Sequence, residues 1–136
     1  FDMVLIKENH IEAADGIGPA VLAAKAAMAR EGRKVEVEVE VETLDDLEDA
    51  IAAGADWIML DNMAIETMCR AVRRVQKLGP NRPRLEASGN VTFETVRAVA
   101  ETGVDLISIG GLTHSVQAFD ISLLFRRPGS PSVIRE

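Results

Sequence analysis

Two stretches, TLDDLEDAIAAGADWIML at residues 43–60 and TFETVRAVAETGVDLISI at residues 92–109, follow one pattern. A shift of 49 residues, from 43 to 92, lays Thr43 on Thr92, Gly54 on Gly103, Asp56 on Asp105 and Ile58 on Ile107. Leu44, Leu47 and Leu60 then fall on Phe93, Val96 and Ile109. Each copy holds a capping threonine, an apolar-periodic helix, a glycine turn and a strand. The shift spans two βα units, as expected of a fold that repeats that unit.

The same grammar extends in both directions. Apolar, strand-like runs occupy residues 3–6, 35–41, 57–60, 84–87 and 106–109, and helix-like periods occupy 18–30, 44–53, 64–78 and 93–102. Each helical period ends at a glycine (Gly32, Gly54, Gly79, Gly103), the residue that closes a helix in the left-handed conformation without a Cβ penalty. Thr43 and Thr92 stand as N-caps, with Asp46 placed to complete a capping box with Thr43. Strands alternating with helices through short connections predict a parallel sheet covered by helices, an α/β fold of the partial TIM-like (β/α) barrel type with about five βα units. The expected domain covers residues 1–125, followed by an irregular tail over 126–136 that contains Pro128, Gly129 and Pro131.

A complete eight-fold barrel takes about 250 residues, whereas this sequence has 136, so the expectation is the carboxyl-terminal portion of a larger barrel. At 47% hydrophobic and 27% charged the composition is globular. No eighteen-residue apolar run or signal-peptide pattern is present, and the single Cys69 fits a reducing compartment, so the expected setting is cytoplasmic, away from membranes. The net charge of −7 argues against a nucleic-acid footprint, and Arg70, Arg73 and Arg74 read as a solvated helix face.

Each strand ends in chemistry: Lys7, Glu40, Asp61, Ser88-Gly89-Asn90 and Gly110-Gly111. In parallel barrels the carboxyl ends of the strands build the active site, so these groups read as one rim. Glu36, Glu38, Glu40 and Glu42 alternate with Val35, Val37, Val39 and Val41, giving one acidic and one apolar face; an acidic barrel interior and a wet edge strand both fit. Lys7 suits anion binding, Schiff-base chemistry if its pKa is depressed, or a surface position. His10 suits acid–base work or a hydrogen-bonded loop. The glycines permit close approach of backbone N–H groups to phosphate and also serve plain turns. Asp61 suits ribose hydroxyls or hydrated Mg²⁺.

The strings LIKENHI, EVEVETL, GADWIMLDNM, LEASGNVT and TGVDLISIGGLTHSVQAFDISL resemble, in order, the carboxyl-terminal barrel segment of the quinolinate phosphoribosyltransferase family, also called nicotinate-nucleotide pyrophosphorylase (carboxylating), from Phe1 to about Leu124. The resemblance implies an incomplete α/β barrel preceded by an α+β domain, and a homodimer or higher oligomer. It implies a Mg²⁺-dependent transfer that makes nicotinate mononucleotide, CO₂ and diphosphate from quinolinate and phosphoribosyl diphosphate in NAD biosynthesis. Carried over by motif, Lys7, expected as a catalytic residue, faces quinolinate and the phosphoribosyl group, and His10 is expected beside it as a substrate-binding residue. Glu40 and Asp61, the catalytic carboxylates, face ribose and the metal-bound diphosphate, with the metal held through water or substrate. Ser88, Gly89, Asn90, Gly110 and Gly111 bind phosphate. Anchoring on Thr43-Leu44 selects Glu40, with Glu38 as the other register. The family's quinolinate-gripping arginines and histidine match nothing in this stretch. A Schiff-base aldolase-like barrel using Lys7, a non-catalytic assembly module, and a related molybdenum-transport-associated family are the competing readings.

Overall fold

The computed structural model describes residues 3–114 together with 121 and 123; the expected tail at 126–136 lies outside the described residues. Five strands, β1 (Met3–Ile6), β2 (Glu36–Val41), β3 (Trp57–Asp61), β4 (Arg84–Ser88) and β5 (Leu106–Ile107), form one sheet in the order β1-β2-β3-β4-β5. All four pairings are parallel. Sequential order without reversal is the winding of a barrel wall; a doubly wound sheet would reverse at a switch point. Helices α1 (Glu8–Ala13) and α2 (Ile17–Arg30) follow β1, then α3 (Leu44–Ala52), α4 (Ile65–Gln76), α5 (Val96–Glu101) and α6 (Gly111–His114) follow the remaining strands.

Alternation within the strands sorts residues between two faces. Val37, Val39, Val41, Ile58, Leu60, Leu85 and Ala87 point to the helices and are buried, packed with Val21, Leu47, Ala50, Ala71, Val72 and Val75. Full burial of each Val, Leu or Ile side chain stabilises by roughly 1.5–3 kcal/mol. The opposite face carries Lys7, Glu36, Glu38, Glu40, Trp57, Met59, Asp61, Arg84, Glu86 and Ser88. The register sets Glu40 beside Met59, Met59 beside Glu86, and Asp61 beside Ser88. β2 is therefore not an edge strand, since it has a neighbour on both sides; on its acidic face Glu38 is buried, Glu40 half-buried and Glu36 exposed.

The duplicated aspartates are clamps at the amino-terminal ends of the strands. The Asp56 carboxylate accepts from the Val37 N–H at 2.9 Å while the Asp56 N–H donates back to the Val37 carbonyl. Asp105 repeats both bonds on Leu85, at 2.8 and 2.9 Å. Each clamp also holds a cation, Lys25 at 3.1 Å from Asp56 and Arg82 at 2.7 Å from Asp105.

Two elements depart from the sequence expectation. Residues 8–13, outside the helical periods read from the sequence, form α1, because Lys7 ends β1 in extended backbone and its carbonyl accepts from His10 and Ile11. Asp15 and Gly16, at φ 61° and 129°, then break α1 from α2. Helix α5 begins at Val96, later than Thr92 predicts. In the first copy Asp46 accepts from the Thr43 N–H and Thr43 Oγ1 from the Asp46 N–H, a closed capping box. Position 46 falls on Thr95 in the second copy, whose shorter hydroxyl keeps the bond to the Thr92 N–H at 2.9 Å, but the return bond stretches to 3.4 Å. The weaker box leaves the first turn irregular.

Candidate functional site

Because β1, β2 and β3 run side by side, their carboxyl ends bring Lys7, Glu40 and Asp61 to one rim. Lys7 Nζ lies 2.8 Å from Glu40 Oε2; the lysine is half exposed and the glutamate nearly covered. The Glu40 carboxylate, through hydrogen bond and charge, pushes the Lys7 ammonium above its ordinary pKa, with Asp61 and Glu8 adding to the effect. Lys7 is therefore a fixed cation at neutral pH, set to meet an anion. Of the two register candidates, Glu40 is the one that touches Lys7. Glu38 sits two residues deeper, where burial and the adjacent Glu86 push its carboxyl up to about 7. Ser108 Oγ donates to Glu86 Oε1 at 2.5 Å, and Glu38 Oε1 is buried without a partner among the described residues.

Asp61 is held from its carboxyl-terminal side. Asn62 Nδ2 donates to Asp61 Oδ2 at 2.7 Å, Asn90 Nδ2 donates to Asn62 Oδ1 at 2.7 Å, and the Asn62 N–H donates to the Ser88 carbonyl at 3.0 Å. Asn62 and Asn90 both adopt φ 51°, the left-handed region that asparagine enters more readily than other non-glycine residues. Gly89 lies under this bridge: a Cβ there would stand 2.4 Å from Asn62 Oδ1, and its own φ is 86°. Only glycine fits that position.

Beside it, Ser88, Gly89 and Asn90 face Gly110, Gly111 and His114 across a cleft of about 430 Å³. Glycines at 89, 110 and 111 let backbone N–H groups come close to an anion in this cleft. His10 is placed differently. Its Nδ1 accepts from the Lys7 N–H at 3.0 Å, and the ring borders an apolar groove with Val4, Leu5 and Ile6, away from the Glu40 cleft. Here it fixes the backbone that presents Lys7. Sequence reasoning passed over Asn62, Glu86, Ser108 and His114 as site residues. The signals available were the position of Asn62 and Glu86 beside strand-end motifs and the four-residue spacing of His114 from Gly110.

Residues 1–124 match the family model described as quinolinate phosphoribosyl transferase, C-terminal domain. The chain belongs to that family. Similar quinolinate phosphoribosyltransferases include the probable nicotinate-nucleotide pyrophosphorylase (carboxylating) of Bacillus subtilis, 46% identical over 123 residues covering 90% of this chain and 40% of the relative. The chloroplastic enzyme of Arabidopsis thaliana is 42% identical over 134 residues, covering 90% and 38%. The solved nicotinate-nucleotide pyrophosphorylase of Francisella tularensis superposes with a TM-score of 0.76 at 44% identity over 86% of this chain and 39% of that one. The chain thus spans about two fifths of the length of the curated relatives it matches. A 3-hexulose-6-phosphate synthase, at 16% identity and a TM-score of 0.56, shares the fold alone.

No described helix is long and apolar enough to cross a membrane.

Proposed function

We propose that this chain is the catalytic barrel segment of a quinolinate phosphoribosyltransferase that forms nicotinate mononucleotide, CO₂ and diphosphate from quinolinate and phosphoribosyl diphosphate in NAD biosynthesis. The observation that carries the proposal is the convergence of Lys7, Glu40 and Asp61 on one rim beside the glycine-bearing ends of β4 and β5, in a chain of this family. The pyridine nitrogen attacks the anomeric carbon as diphosphate leaves, through a transition state with oxocarbenium character. Glu40 and Asp61 set negative charge against that developing cation, and Lys7 orients a carboxylate or phosphate. Ser88, Gly89, Asn90, Gly110 and Gly111 seat the 5′-phosphate. The 2-carboxylate then leaves as CO₂, its bonding pair staying on ring C2 where the adjacent quaternised nitrogen stabilises it until C2 takes up a proton from water.

Among the described residues no group of three His, Cys, Asp or Glu side chains could hold a metal, whereas two carboxylates suit an ion that keeps its waters and arrives with a phosphate. Glu40 and Asp61 would hold Mg²⁺ in that way, and the ion would neutralise the departing diphosphate. The working form we propose is a cytoplasmic homodimer or higher oligomer in which the rest of the polypeptide supplies quinolinate recognition.

The test is turnover by the full-length protein. Glu40→Ala and Asp61→Ala should each lower kcat about 10²–10³-fold, the scale of one lost electrostatic contact to a transition state; normal turnover in both removes the assignment. The Schiff-base alternative needs an unprotonated Lys7, and the Glu40 contact acts against that, so borohydride should trap no substrate on Lys7.

A further inference from the structure

The strand-end chemistry assigned above leaves Asn62 unused, although its side chain joins the carboxylate at the end of β3 to the glycine loop after β4. We propose that Asn62 is a positioning residue that holds Asp61 in its working orientation and is itself held by Asn90.

The hydrogen-bond pattern admits one polarity. Asn62 presents its NH₂ to Asp61 Oδ2, since a carboxylate oxygen accepts, and this leaves Asn62 Oδ1 to accept from Asn90 Nδ2. One Asp61 oxygen is thereby occupied, and the other stays available to a ligand at the rim. The bridge is also fixed from below. The Asn62 N–H is tied to the Ser88 carbonyl, and Gly89 gives the amide room that any side chain at that position would take away.

The backbone supports the same reading. Asn62 and Asn90 are two of three non-glycine residues with positive φ among those described, and the two are joined to each other. Asparagine is, with aspartate, the non-glycine residue that most readily adopts this conformation, and here the two amides are bonded to each other and to Asp61. The consequence is that the loop facing the phosphate cleft and the carboxylate facing ribose are mechanically one unit.

This role rests on the functional reading above, and the experiment separates the two. In full-length protein, Asn62→Gly keeps the backbone conformation and removes the amide. It should lower kcat about 10- to 100-fold, the scale of a misplaced reacting group, with KM for phosphoribosyl diphosphate changed less than kcat. Asn90→Gly, which only loosens the bridge, should give a smaller loss in the same direction. The decisive readout is the double variant: if Asn62 acts through Asp61, adding Asn62→Gly to Asp61→Asn costs almost nothing further. Wild-type-like kcat in Asn62→Gly, or losses that multiply in the double variant, overturns the positioning role alone. Absence of nicotinate mononucleotide formation by the wild-type protein overturns the functional reading and this role with it.

Discussion

Glu38 is the residue whose surroundings most oppose its charge. Its side chain is buried, Glu86 lies against it, Glu40 adds a further negative charge on its own strand, and no described cation reaches it. Burial and these like charges push its carboxyl up to about 7 from an unfolded value near 4.5. A folded chain that keeps this proton while the unfolded chain has lost it binds more protons between those values. Stability therefore falls as pH rises from about 4.5 to about 7 and is flat above. At 1.36 kcal/mol per unit the loss is at most about 3 kcal/mol. Glu38→Gln, whose amide can donate to Glu86, should raise the midpoint of thermal unfolding at pH 8 and flatten its fall between pH 5 and 8. An unchanged slope would show that Glu38 is ionised in the folded chain. Nothing in the alternation of β2 distinguishes Glu38 from Glu36 or Glu40, because what sets it apart is Glu86, 48 residues away on a strand two places over.

Helices and strands were legible where local chemistry and packing agree. Thr43 and Asp46 close a box that starts α3 as the sequence predicts, and the valines of β2 are buried as their alternation requires. Helix α1 was illegible because its start depends on a backbone bond to His10 Nδ1, and the late start of α5 follows from one hydroxyl standing where its copy has a carboxylate. The repeated aspartates were visible as a pattern, but their task is set by strands that lie roughly twenty residues upstream. The rim was legible in outline, since strand ends announce themselves, whereas the bond from Asn90 to Asn62 spans 28 residues and follows from the pairing of β3 with β4. The clamps make a prediction at this scale. The Arg82 guanidinium, by hydrogen bond and charge, and the Leu85 N–H hold the Asp105 carboxyl below the usual carboxylate range, against a partial opposing effect of burial. This contribution is complete above the unfolded pKa near 3.9 and is lost as pH falls through the lower folded value. Asp105→Ala leaves the Leu85 N–H without an acceptor and Arg82 with the Pro83 carbonyl in place of the carboxylate, and should cost about 1–3 kcal/mol at pH 7. Asp105→Asn, which can still accept from one donor, should cost less and should remove this contribution to acid unfolding below pH 4. Equal acid profiles for the wild type and Asp105→Asn would refute the clamp's electrostatic part.

At the scale of the molecule, the sheet is a wall, not a closed barrel. Among the described residues β1 pairs only with β2 and β5 only with β4, so one edge of each has no strand beside it. Leu5 and Leu106, on these strands, are 38% and 45% exposed, and Val4, Leu5 and Ile6 line an apolar groove of about 310 Å³. Unpaired edges flanked by apolar side chains recruit further strands. The rim is likewise partial, with one cation, two carboxylates and glycine-bearing strand ends, but no described arginine beside Lys7 to receive a dicarboxylate. The expectation is that the 136-residue chain alone associates into oligomers or is poorly stable, and makes no nicotinate mononucleotide. Light scattering after size exclusion, with a turnover assay on the same fractions, checks both parts. On the functional proposal above, a longer polypeptide that covers the free edge of β1 should show turnover and less non-specific association than the 136-residue chain. A stable, active monomer of this chain alone would show that the wall closes and catalyses without the longer polypeptide.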